Sequence, residues 1–318
     1  MKASLLSLLV CPSCHSALTA RQGKDLIEGE LTCSGCGATY PVRGGIPRFV
    51  AHGGYAGSFG RQWTWFQNTQ IDSRNGTRES ERQLAATTGW GDDDYRGRLV
   101  LDAGVGAGRF AEVAASKGAE VVGVDLTEAI DAAADNLAGY DNVNLVQADI
   151  FALPFRPGSF DLAYSVGVLH HTPDPATAFR RLADLVKPDG DLAVYLYERN
   201  GLSHRASDQI RKLTTRLPPE LMLALCALSI PAYPLYRAPL LGGLLQLLCP
   251  IALMPGWKDR WLGTFDWYTP EYQWKLRYPE VMRWFRECGF NDLSAFDEPI
   301  RIRGRRVAPA QGALHVAA

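Results

Sequence analysis

Five short apolar runs recur between residues 99 and 198, and helical patterns separate them. The first opens LVLDAGVGAGRF, which reads as a strand, a glycine-rich turn and a helix start. VVGVDL (121–126), VNLVQADI (143–150), FDLAYSV (160–166) and DLAVYLYE (191–198) follow. The best intervening helix lies over 176–187, where Phe179, Leu182, Leu185 and Val186 share one face. Pro188-Asp189-Gly190 then supplies turn chemistry. A helix over PEVMRWFRECGF and two closing strands complete the pattern within 278–307. Strands alternating with helices predict an α/β fold: a doubly wound, mostly parallel, seven-stranded sheet with helices on both faces.

The turn Asp102-Ala-Gly104-Val-Gly106-Ala-Gly108 joins the first strand to its helix. Glycine lets backbone turn tightly there and approach a ligand closely. Arg109 stands where a dinucleotide fingerprint wants its third glycine, which argues against a dehydrogenase. Asp125 ends the second strand, about where an acid grips ribose hydroxyls in doubly wound folds. Asp149 ends the third run. The competing reading of each acid is a strand-end cap.

Ahead of the α/β pattern stand two Cys-x-x-Cys pairs, Cys11/Cys14 and Cys33/Cys36, eighteen residues apart. Four thiolates bind zinc tetrahedrally and leave no open position, so a structural Zn2+ is expected. The other three of the seven cysteines, Cys226, Cys249 and Cys288, are scattered. That distribution suggests free thiols in a reducing, cytoplasmic setting and not a disulfide framework. The apolar start, Met1 to Val10, leads directly into the first pair and is read as mature structure, not a signal peptide.

The chain divides into a ribbon at 1–50, a connecting segment at 51–97, and a main domain at 98–318. Residues 202–262 interrupt the main domain with the runs LMLALCALSI and APLLGGLLQLLCPIALM. Pro231, Pro234, Pro239 and Pro250 cut these below the ~20 apolar residues of a membrane span. Buried or lid helices are therefore expected, with peripheral contact to a bilayer as the other use of such a surface. The formal net charge is −1, far from the basic footprint of a nucleic-acid binder.

The ordered set LDAGVGAGRF, GVDLT, QADIFALPF, FDLAYSVGVLHH and LVKPDGDLAVY, over about residues 97–200, resembles class I S-adenosylmethionine-dependent methyltransferases. The resemblance implies a cofactor set containing Asp102, Gly104 and Gly106, the glycines against the methionine part. It also implies Asp125 on the ribose hydroxyls, Asp149 on the adenine amino group, and Leu126 and Ile150 flanking the adenine. Related enzymes close the site with an N-terminal segment, which here is FGRQWTWFQ. Gln62 and Trp63 are its candidate contacts, with core packing as the alternative for the aromatics. The segments LLSLLVCPSCHSAL and YPVRGGIPRF resemble the zinc ribbon of tRNA-methyltransferase activator proteins, which implies docking against a methyltransferase.

Methyl transfer to oxygen needs a proton removed, a task suited to histidine. His170 and His171 follow the fourth strand, at the crevice of a doubly wound fold; either is a candidate base, and a positioning or capping role has nearly equal weight. Tyr197 and Glu198 face the same crevice. Trp267, Tyr268 and Tyr272 are candidates for an acceptor wall, or core aromatics. No Asn-Pro-Pro-aromatic motif of nucleic-acid amine methyltransferases is present. The expected activity is methylation of a small, hydrophobic or lipid-linked acceptor: a glycan, a lipid-linked sugar or a secondary metabolite. The alternatives are an rRNA or tRNA methyltransferase and a non-catalytic ribbon partner.

Overall fold

The computed structural model describes residues 1–20, 26–50, 65, 69–199, 203–296 and 299–307. Among the described residues two sheets form. The N-terminal one is antiparallel, in the order β1 (Leu18–Ala20), β2 (Gly29–Cys33), β3 (Thr39–Arg43), β4 (Ile46–Pro47). The large one contains β5 (Leu99–Ala103), β6 (Glu120–Asp125), β7 (Val143–Gln147), β8 (Phe160–Val166), β9 (Val186–Tyr195), β10 (Phe290–Phe296) and β11 (Arg301–Arg306). Its seven strands run β10-β11-β9-β8-β5-β6-β7, and β11 alone opposes the rest. Order reverses beside β5, so the carboxyl ends of β5, β6 and β8 frame the crevice where such sheets bind ligands.

Local chemistry explains the crossovers. Asp174 accepts hydrogen bonds from Ala176 and Thr177 amides, both at 3.1 Å, and Pro175 opens the helix Pro175–Leu185. That helix buries Ala178, Phe179, Leu182, Ala183 and Leu185. It stops two residues earlier than its periodicity predicts. Val186 pairs with Phe160, so β9 begins at once, and the expected turn 188–190 becomes an irregularity within the strand. Asp189 takes the left-handed conformation there, at φ 62°. At its other end β9 stops at Tyr195, short of the expected 198.

The ribbon covers the free edge of the large sheet. Leu9 bridges Phe155, Arg48 bridges Gln147 of β7, and the Phe49 amide donates to the Gln147 carbonyl at 2.8 Å. Unpaired strand edges invite association, and here the chain's own N-terminal unit meets that edge. Buried Leu5, Leu9, Leu31 and Val42 belong to one apolar core with Ile150, Leu153 and Phe155.

Among the described residues, a unit of five helices follows β9, Ser203–Thr214, Pro219–Ala227, Ser229–Arg237, Leu241–Leu248 and Trp257–Tyr268, and a sixth, Tyr278–Glu287, leads into β10. This helical unit runs six residues past the predicted end at 262, because Leu262, Phe265 and Tyr268 continue one buried face. Among the described residues no single helix is long and apolar enough to cross a membrane. One consecutive pair, Pro219–Ala227 and Ser229–Arg237, reaches that length and apolarity together but is bent by 41°.

Candidate active site

The glycine turn leaves β5 under steric compulsion. Gly104 has φ 88°, and a Cβ there would lie 2.3 Å from Val168 Cγ2. Gly108, at φ 95°, starts the helix Arg109–Ser116. Asp125, at the end of β6, reaches back to this turn. Its Oδ2 accepts from the Gly106 amide at 2.9 Å, and its Oδ1 accepts from the Thr127 amide and hydroxyl at 2.8 and 2.7 Å. These bonds aim the carboxylate into a cavity of about 640 Å³. Burial raises its pKa against them.

Gly104, Gly106, Asp125, Leu126 and Ile150 all line this cavity. Asp102 does not. It is buried beneath the turn, accepts the Tyr164 hydroxyl at 3.1 Å, and has its pKa pushed up to about 7 by desolvation. Asp149 is also absent from the lining. Its carboxylate caps the short 3-10 turn Ile150–Ala152 by accepting from the Phe151 amide at 3.0 Å. Gln62 and Trp63 lie outside the described residues. The connecting segment does reach the cavity through Gln70 and Gln83.

The two histidines separate in space. His170 is fully buried and does not line the cavity. It stacks on Tyr197 at 3.9 Å, its ring nitrogens have no hydrogen-bond partner, and burial drives its pKa well below the usual value. That environment corrects the expectation of His170 as a base. His171 does line the cavity. Its Nδ1–H donates to the Tyr272 carbonyl at 2.8 Å, so Nε2 carries the lone pair. Burial, with help from the Arg211 and Lys275 charges, lowers its pKa to about 4.

Tyr197, Glu198 and Trp267 line the far end, with Tyr197 stacked on Trp267 at 5.8 Å. Tyr268 and Tyr272 do not line it. Tyr268 is core, its hydroxyl donating to the Pro250 carbonyl at 2.7 Å, and Tyr272 contributes the main-chain carbonyl that orients His171. Sequence reasoning missed two groups. Asp266 lines the cavity and accepts the Tyr197 hydroxyl at 3.4 Å. Arg109 lines it as a buried cation whose hydrogen-bond partners among the described residues are neutral: Ser80 Oγ at 3.2 Å, Gln70 Oε1 at 2.8 Å and Gln83 Oε1 at 2.9 Å. Desolvation lowers its pKa to about 10. An arginine directly after the glycine turn was the available signal.

The ribbon cysteines converge. Cys11 and Cys36 sulfurs lie 3.7 Å apart, Cys14 and Cys33 sulfurs 3.4 Å, and all four ligand atoms fall within 4.8 Å of one another. Thiolates on a tetrahedral zinc at ~2.3 Å stand about 3.8 Å apart, so the donor set fits Zn2+.

Residues 101–194 match the family described as "Methyltransferase domain", and residues 2–45 match "Trm112p-like protein". A ubiquinone biosynthesis O-methyltransferase of Neisseria meningitidis is 36% identical over 121 residues, which is 36% of this chain and 50% of that protein. A protein of the same name from Thiobacillus denitrificans is 39% identical over 114 residues, 34% and 48% of the two chains. The chain spans about half the length of the curated relatives it matches. Among solved structures, a complex of the Haloferax volcanii Trm112 methyltransferase activator with a putative methyltransferase aligns at 13% identity and TM-score 0.47, covering 79% of this chain and 98% of that one. The chain therefore joins a Trm112p-like domain carrying a four-cysteine cluster to a class I, S-adenosylmethionine-type methyltransferase domain.

Proposed function

We propose that this protein transfers the methyl group of S-adenosylmethionine to an oxygen of a small, hydrophobic or lipid-linked acceptor. The observation that carries the reading is one continuous cavity. The glycine turn and Asp125 stand at one end, and at the other stand His171, Tyr197, Trp267 and the apolar helical unit. The relatives' printed activity, methylation of an oxygen in ubiquinone biosynthesis, supports an oxygen acceptor.

When bound, the cofactor supplies a sulfonium-activated methyl group for in-line displacement. Gly104 and Gly106 bring backbone close to its methionine part, and Asp125 accepts from its ribose hydroxyls. Leu126 and Ile150 flank its adenine. Arg109, a buried cation with no carboxylate partner among the described residues, meets its carboxylate. Asp149, by capping the turn Ile150–Ala152, holds the lining residue Ile150 in place. On the acceptor side, His171 is neutral at working pH and presents Nε2 as a hydrogen-bond acceptor. A pKa near 4 makes it better suited to orienting the acceptor hydroxyl than to holding its proton. Asp266 faces the same space and accepts the Tyr197 hydroxyl, a second polar group on the acceptor side. Ile251, Ala252, Leu253 and Met254 of the helical unit exclude water from that end.

The outer surface of the unit supports a hydrophobic source for the acceptor. Leu221, Leu225, Leu228, Leu235, Leu244 and Leu248 are all exposed, and among the described residues the exposed charges of the unit are Lys212, Arg216, Arg237 and Lys258 against Glu220. Such a face suits contact with an anionic bilayer. The reading is tested with labelled cofactor and a lipid extract, with products followed by mass spectrometry. Label must enter an organic-soluble product. Removing residues 205–255 must abolish transfer while S-adenosylhomocysteine still binds. Full activity after that deletion would place the acceptor elsewhere, and label in RNA alone would overturn the small-molecule reading.

A further inference from the structure

A second cavity, of about 230 Å³, lies wholly within the helical unit. Ile210, Met222, Leu225, Cys226, Ala232 and Ile251 give it an apolar wall drawn from several helices. Ile251 also lines the large cavity, so one side chain separates the two spaces. On the other side stand Leu225 and Leu228, which are 43% and 62% exposed and belong to the leucine-rich outer face.

The hydroxyls of this wall are turned away from it. Tyr268 donates to the Pro250 carbonyl and Tyr236 to the Cys249 carbonyl, both at 2.7 Å. Thr264 donates to the Arg260 carbonyl at 2.7 Å, and Thr214 to the Tyr268 carbonyl at 2.9 Å. Each leaves carbon facing inward. Ser229 is the exception: its hydroxyl is buried in the wall with no partner among the described residues. A buried hydroxyl without a partner is destabilising, and a ligand oxygen would relieve it. The cavity thus suits a hydrocarbon chain bearing a single oxygen function, running from the Ile251 side, next to the large cavity, towards the leucine face.

We infer that this inner cavity is a binding site for the alkyl or prenyl chain of the methyl acceptor, carried as an ether, ester or alcohol. The inference rests on the proposed transfer to a hydrophobic acceptor, and it makes the helical unit a chain-binding element as well as a lid.

The test uses the full chain and straight-chain alcohols from hexanol to decanol, followed by calorimetry. Affinity rises about fourfold per added methylene until the cavity is full. Decanol slows maleimide alkylation of Cys249, an exposed wall thiol, as read by peptide mass spectrometry. Ala232→Trp fills the space and removes both effects. Thermal unfolding shows whether that variant folds, and the milder Ser229→Leu provides an independent reduction in both volume and polarity. Affinity independent of chain length, or decanol protection undiminished in folded Ala232→Trp, overturns the chain site. S-adenosylhomocysteine affinity is measured on the same samples, so failure of the cofactor reading is seen separately. Binding to anionic vesicles with no binding of free decanol would also overturn the site and leave only a surface contact.

Discussion

Arg48 of the ribbon donates through Nη1 to the Gln147 side-chain oxygen at 2.9 Å, and Gln147 Nε2 donates onward to the Leu126 carbonyl at 3.2 Å. The zinc-ribbon unit is thereby tied to the residue beside Asp125. Arg48 Nη2 also meets Asp131 at 2.5 Å. That carboxylate is half exposed and adds little by itself. The Gln147 bond matters more, because Gln147 is buried and loses a partner without it. Arg48→Ala is expected to cost about 1–3 kcal/mol of stability. It should also weaken S-adenosylhomocysteine binding, as read by thermal unfolding and calorimetry. An unchanged melting curve would show that the ribbon is held by its shared core alone.

One zinc per chain is expected on Cys11, Cys14, Cys33 and Cys36. Elemental analysis of natively purified protein checks this directly. Because metal binding and folding of such units are coupled, Cys33→Ser or prolonged chelation should melt the ribbon and expose the β7 edge. Faster proteolysis within residues 1–50 is the expected signature.

Asp125→Ala should lower cofactor affinity by on the order of 1.5–3 kcal/mol, since the ribose hydroxyls lose a charged acceptor. Asp125→Asn should fall between, retaining shape without charge. Calorimetry with S-adenosylhomocysteine reads both, and tighter binding of NAD would contradict the assignment. Arg109→Gln should weaken the same ligand while leaving adenosine binding nearly unchanged, because only the amino-acid part carries the carboxylate.

Stability should respond to acid through His171. Its folded pKa, about 4, lies below its ordinary 6.5, so between these values the unfolded chain binds the extra proton. The His171 contribution is intact above pH 6.5 and falls progressively as pH drops toward 4. Asp102 acts in the opposite sense: its carboxyl is held up to about 7, so its protonated form favours the fold at low pH, and this is lost as pH rises toward 7. The His171 part is therefore read as a difference. Denaturant unfolding of the parent chain and His171→Gln, from pH 4.5 to 7.5, should diverge at high pH and converge at low pH. A constant gap would mean that His171 titrates normally in the folded protein.

Much of this molecule was legible in one dimension. Alternating apolar runs determine the order of β5 to β9, since a strand buried on both faces must be apolar and parallel neighbours need a crossover. The glycine turn and Asp125 were readable because backbone conformation and chain order leave few residue types able to serve there. Paired cysteines declared their zinc because metal coordination fixes both ligand type and spacing. Side-chain direction was not legible. His170 and His171 are adjacent, yet one is packed against Tyr197 and the other lines the cavity. Asp102 and Asp149 end their runs as acids should, but a half-turn of backbone sends one under the loop and the other to a cap. Arg109, Gln70, Gln83 and Asp266 come from distant parts of the chain, and only packing brings them to one cavity. Sequence periodicity reports which face of an element is buried. What that face is buried against, and which polar group is left pointing into a space, is decided by contacts between elements, and those exist only in the folded chain.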